Sequence, residues 1–95
     1  MIWGTEKEIE TRRRIRLTLW AYAYEFESDS MAPDSLFDEE CKNVRLQIDT
    51  NRPDLDRWWR ENFNPSTGQW IRKHPELGGI KQLYKWIKEL KEKFG

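Results

Sequence analysis

The sequence contains one cysteine, one histidine and no apolar run near the length of a membrane span. A lone Cys41 has no internal partner for a disulfide, and a single thiol in a chain of 95 residues suits a reducing compartment. No stretch approaches the ~20 apolar residues that a bilayer-crossing helix needs. Residues 1–10 also carry no signal-peptide hydrophobic segment, so the expected location is the cytoplasm. Glycine-rich phosphate loops are missing, and His74 with Cys41 cannot build a Cys/His zinc site. Net charge is absent too. With 17 basic and 17 acidic side chains, no global field draws the molecule to nucleic acid, and a charged partner must meet a local patch.

What is present is aromatic. Only 37% of the residues are hydrophobic, but they include six Trp, three Tyr and four Phe, so a few bulky rings must supply most of the buried area. The length fits one domain over residues 1–95 and leaves no room for a second core. Charge is uneven although it cancels. From Glu25 to Glu40 there are seven acids and no base, whereas residues 61–95 hold seven bases and four acids. An acidic corner and a basic helix are expected, attracting one another within the fold.

Punctuation along the chain predicts an all-α domain of about four helices. Thr5 and Glu8 have the spacing of a capping box, which starts a helix over residues 6–26. Its apolar positions form two rows, Ile9, the stem of Arg13, Leu17, Trp20 and Tyr24 beside Ile15, Leu19, Tyr22 and Phe26. Ser28, Asp29 and Ser30 end it, because their short side chains compete for nearby backbone groups. Pro33 and Asp34, either of which could be the cap, open a second helix reaching Arg45, with Leu36, Phe37, Cys41 and Val44 inward. Residues 46–52 read as a connector. Pro53 at a first helical position opens the third helix, and Asn64, Pro65, Ser66 and Gly68 end it. Residues 69–73 form a short turn, and Gly78-Gly79 a hinge or cap. The last helix, residues 79–93, follows from the stripe Leu77, Ile80, Leu83, Tyr84, Ile87, Leu90 and Phe94.

Between Arg12 and Val44 the chain reads RRRIRLTLWAYAYEFESDSMAPDSLFDEECKNV. An Arg-bearing helix, a tyrosine-rich end, a turn and a Pro-Asp-x-x-aromatic-Asp segment follow one another without a gap, carried by Tyr22, Tyr24, Pro33, Asp34, Phe37 and Asp38. This third of the chain resembles the N-terminal helical subdomain of bacterial NAD-dependent DNA ligases. The resemblance implies a helical hairpin over residues 5–45, with the remaining residues, 46–95, adding helices that cover its open side. In that family the subdomain closes over the nicotinamide mononucleotide half of NAD. What it implies here is a nucleotide site formed by Tyr22, Tyr24, Glu25, Asp34, Phe37 and Asp38. Tyr24, Asp34 and Asp38 match the family in type. Glu25 stands where the family has His, and Phe37 where it has Tyr. A carboxylate at 25 repels a phosphate, and the missing phenol removes a donor. Independently of any family, a Tyr24 ring beside Asp34 and Asp38 suits a positively charged pyridinium.

Ligase adenylation needs a Lys-x-Asp-Gly nucleophile segment, which this sequence does not contain. The expectation is therefore a noncatalytic, ligase-related accessory protein, not an enzyme, that binds NAD, nicotinamide mononucleotide or a ligase adenylation domain. Detachment from a catalytic domain is the architecture of a bacteriophage or mobile-element gene.

Other residues offer different chemistry. His74 reads as a surface or capping residue and Cys41 as a small buried hydrophobe. Asp34, Asp38 and Glu39 could collect a divalent ion, although such acids usually just favour a helix start. Arg12, Arg13, Arg14 and Arg16, or Lys81, Lys85, Lys88 and Lys91, could grip phosphates, with Trp70 and Trp86 stacking bases. Adjacent Trp58 and Trp59 diverge by about 100° on a helix, so one of them is expected to be exposed or to contact Trp70. Trp58, Trp59 and Trp70 thus form a candidate protein-interaction surface, the rival to nucleotide binding.

Overall fold

The computed structural model describes residues 4–94, with the side chain of Phe94 outside the described set. The Phe94 position of the last apolar stripe is therefore not described. The chain forms α1 (Glu6–Glu27), α2 (Asp34–Asn43), α3 (Pro53–Asn62), a 3-10 turn (Gln69–Lys73) and α4 (Leu77–Phe94). It is all-α. Among the described residues there is no strand, and no helix is long and apolar enough to cross a membrane.

The helix ends follow local chemistry. The Glu8 amide donates to Thr5 Oγ1 at 3.2 Å and the Thr5 amide donates back to Glu8 Oε1 at 3.4 Å, which completes the capping box. Pro53 takes the first position of α3, and Pro33, not Asp34, is the residue before α2. α1 ends where Ser28 turns left-handed, at φ 52° and ψ 36°, and the Asp29 amide donates to the Ala23 carbonyl. A side chain in this region is strained, and Ser28 is exposed. Ser28→Gly is expected to raise stability by about 1 kcal/mol, read as a higher urea midpoint; an unchanged midpoint would show that the turn carries no strain.

Two boundaries differ from the sequence expectation. α2 ends at Asn43 and not Arg45, because Val44 is already extended. α4 begins two residues before Gly79, so Gly78-Gly79 is neither hinge nor cap. Both glycines lie in its first turn, where the Ile80 amide donates to the Glu76 carbonyl. Each interior Gly costs about 1 kcal/mol of helix propensity. Burial of Ile80 and Tyr84, one turn apart on the same face, offsets that.

α1 is the axis of the molecule. Leu17, Thr18 and Leu19, then Ala21, Tyr22 and Ala23, are all buried, and at 100° per residue these cannot share one face. α2, the 3-10 turn and α4 all pack on α1, and α3 joins it through Asp56 and Trp59. A helix wrapped this way has no single apolar stripe. Ile15, Tyr24 and Phe26, read from the sequence as inward, are instead 51%, 63% and 43% exposed.

Within the arginine row expected to meet phosphate, Arg14 turns inward. Arg14 is 5% exposed and lies between Glu10 and Asp56, with Nε to Glu10 Oε2 and Nη1 to Asp56 Oδ1, both 2.8 Å. Its Nη2 donates to the carbonyls of Arg45 and Ile48. Arg13 bridges Glu10 and Glu40, and Arg16 also reaches Glu40, tying α1 to α2. Arg13, Arg14 and Arg16 are thus spent on acids of the same chain.

Candidate functional site

A cavity of about 400 Å³ opens where the end of α1, the loop after it, the start of α2 and the segment 66–69 converge. Tyr24, Glu25, Asp34, Phe37 and Asp38 all line it. The reason is register. Tyr24 and Glu25 lie on the last turn of α1, and Asp34 and Asp38 lie one turn apart on α2, so their side chains leave that helix on one side. Asp34 and Asp38 are exposed, and the Tyr24 ring is 63% exposed with its face available.

Glu25 and Phe37 each have a defined partner here. Glu25 is only 13% exposed along its side chain and accepts from Arg72 twice, Nη2 at 2.9 Å and Nε at 3.2 Å. The Arg72 guanidinium also lies 5.4 Å from the centre of the Phe26 ring. Its partner is 47 residues away in sequence, so the repulsion expected of a bare carboxylate at 25 is compensated by a cation that no local pattern reveals. At Phe37, the para carbon that would bear a tyrosine hydroxyl lies 3.4 Å from where a Cβ at Gly68 would stand. The segment 66–69 packs onto the end of the ring.

Tyr22 is not part of this site. It is 4% exposed, stacked on Phe26 at 5.3 Å and tilted against Tyr84 at 5.6 Å. Its hydroxyl donates to Glu27 at 2.7 Å; burial first, then the Glu27 hydrogen bond and charge, push it up to about 12. Two residues before Tyr24 on a helix, it points about 160° away, into the core. Nearby, Asp29 accepts from Tyr84 Oη at 2.8 Å and Lys88 Nζ at 3.0 Å; these hold its carboxyl below the ordinary value and tie α4 to the end of α1.

Trp58 and Trp59 meet Trp70 as expected, but they form a core and not an open interaction surface. Trp59 is 2% and Trp70 4% exposed, and both belong to an aromatic core with Phe63 and the half-buried Trp58. Trp70 lies 4.9 Å from Trp59, 5.4 Å from Phe63 and 6.0 Å from Trp58, centre to centre. The 3-10 turn folds over α3 and fills the angle between the two adjacent rings. Trp58 is anchored by its Nε1, which donates to the Lys73 carbonyl at 2.8 Å. Among the described residues the open tryptophan is Trp86, 58% exposed on α4, which sequence reasoning singled out only for base stacking.

No family model, curated protein or solved structure matches this chain. The residues themselves must carry the functional reading. Cys41 is buried, and its thiol is pushed up to about 11 by burial first and then by Asp38 and Glu40, so it is poorly suited to act as a nucleophile. Asp34, Asp38 and Glu39 form no metal-holding group, and neither do any other His, Cys, Asp or Glu among the described residues.

Proposed function

We propose that this chain is a ligase-related, noncatalytic module that binds a nicotinamide nucleotide in the cavity between α1 and α2. The observation that carries the reading is the convergence of Tyr24, Glu25, Asp34, Phe37 and Asp38 on one cavity of about 400 Å³. A pyridinium stacks on the open Tyr24 face, and Asp34 and Asp38 complement its positive charge. Arg72, paired with Glu25 of the wall, is a cation for the ligand phosphate. The same surface would seat against a ligase adenylation domain that carries the nucleotide.

Calorimetry with nicotinamide mononucleotide and NAD tests this. Both are expected to bind, and Tyr24→Ala or Asp38→Asn is expected to weaken them by about tenfold, one stacking or charge interaction each. Reduced nicotinamide mononucleotide, which lacks the ring charge, is expected to bind more weakly. Absence of heat at millimolar ligand removes the proposal, and equal binding of the two redox forms removes the role of the carboxylates.

A second reading rests on Trp86. A tryptophan 58% exposed on a lysine-bearing helix is an anchor for a protein partner, placing an interaction surface on α4 and not on the buried Trp59 and Trp70.

A further inference from the structure

A second cavity, of about 370 Å³, lies nearer the N-terminal end of α1 and shares no lining residue with the first. Its walls are mostly apolar, built by Ile15 and Leu19 of α1, Leu55 and Trp59 of α3, and Ile80 and Leu83 of α4. Polar groups also reach the wall, but nearly every donor among them is already engaged. Thr11 and Thr18 donate back to the carbonyls of Lys7 and Arg14, and Thr50 donates to Asp56. Arg14 is held by Glu10 and Asp56, and Arg52 pairs with Glu76 at 2.6 Å. The charges on this wall are thus neutralised within the chain.

The indole of Trp59 and the ring of His74 are the exceptions. His74 is 8% exposed and lines the cavity, and its Nδ1 accepts the Glu76 amide at 3.0 Å. An accepting Nδ1 leaves the proton of the neutral ring on Nε2. Burial, the largest influence on this ring, favours that neutral form. No described residue accepts from Nε2 or from Trp59 Nε1, so two residues lining an apolar cavity of ligand size carry uncommitted ring N–H donors.

We propose that this cavity is a separate ligand site for an uncharged, largely aromatic small molecule that offers one hydrogen-bond acceptor to Nε2–H of His74. The absence of uncompensated charge on the wall selects against nucleotides and charged peptides, which would leave an unpaired charge in an apolar chamber. Gly79, where an added Cβ would meet nothing within 4 Å, and the half-exposed Ile15 both lie on the cavity wall. This site would work whether or not the α1–α2 cavity takes a nucleotide.

Acetophenone, α-methylstyrene and benzoate are suitable probes, followed by NMR on the full chain at the Trp59 indole, the Ile80 methyls and His74 Nε2. Acetophenone is expected to shift all three saturably. α-Methylstyrene, the same shape without the acceptor, is expected to shift Trp59 and Ile80 and leave Nε2 unmoved. Benzoate is expected to give no saturable shift. Gly79→Leu adds a side chain to the wall and is expected to weaken acetophenone by at least about tenfold. Its unfolding temperature is expected to be no lower than the parent's, because Leu is a better helix former than Gly. The proposal is overturned if acetophenone leaves Trp59 or Nε2 unmoved, if benzoate binds equally well, or if a folded Gly79→Leu chain retains parental affinity.

Discussion

Replacing Arg14 by Met is expected to lower stability by about 3–5 kcal/mol, the cost of removing one partner from a buried ion group. Small domains have only ~5–15 kcal/mol in total, so a large fraction of the molecules would unfold. The reason is what remains behind. Glu10, fully buried, and Asp56, 3% exposed, would face one another without the guanidinium between them, and the carbonyls of Arg45 and Ile48 would lose a donor. Filling all three positions with hydrophobic residues would not restore the fold, since Glu10 also accepts the Arg45 amide and Asp56 the Thr50 amide. The same group sets the acid limit. Burial pushes the Asp56 carboxyl up, but two hydrogen bonds from Thr50 and the charge of Arg14 outweigh it and hold it below its ordinary 3.8. A depressed folded value means that this stabilisation is complete above the unfolded value and is lost as pH falls through the folded one. The urea midpoint should therefore drop below pH 4, and Asp56→Asn should remove part of that slope while lowering stability at neutral pH. An Arg14→Met chain with a parental urea midpoint would overturn this account.

How much of this was legible in the sequence depends on how local each signal is. The capping box of Thr5 and Glu8, Pro53 at a helix start and the α4 stripe act within one or two turns, and each is where the pattern puts it. The convergence of Tyr24, Asp34 and Asp38 was also legible, because a six-residue connection and two helical periods fix their relative positions. Arg14 was not. Glu10, four residues earlier, is its only local partner, while Asp56 and the Arg45 carbonyl lie 42 and 31 residues away, so the run at 12–16 reads as a basic surface. Arg72 was hidden in the same way, by the distance in sequence to Glu25. Periodicity set Tyr22 inward, where it is, and only the ligase resemblance put it in the site. Ile15, Tyr24 and Phe26 were misread as inward because α1 is surrounded, and periodicity finds a face only when the helix has one.

The tryptophans separate stability from recognition, and two single substitutions make the distinction measurable. Trp59→Ala is expected to cost about 3–5 kcal/mol, as for other buried aromatic truncations. Its ring is 2% exposed, touches Trp58, Phe63 and Trp70, and lies 5.7 Å from the Arg14 guanidinium carbon. Because the two side chains meet, Trp59→Ala and Arg14→Met together should cost less than the sum of the singles. Trp86→Ala is expected to change stability by no more than about 0.5 kcal/mol, since that ring is 58% exposed. Any loss of partner capture in Trp86→Ala is therefore a loss of contact, whereas the same loss in Trp59→Ala follows from unfolding. Urea denaturation beside a binding assay distinguishes them. A Trp59→Ala chain within about 1 kcal/mol of the parent would show that the aromatic group around Trp70 is not what joins α3 to the rest of the fold.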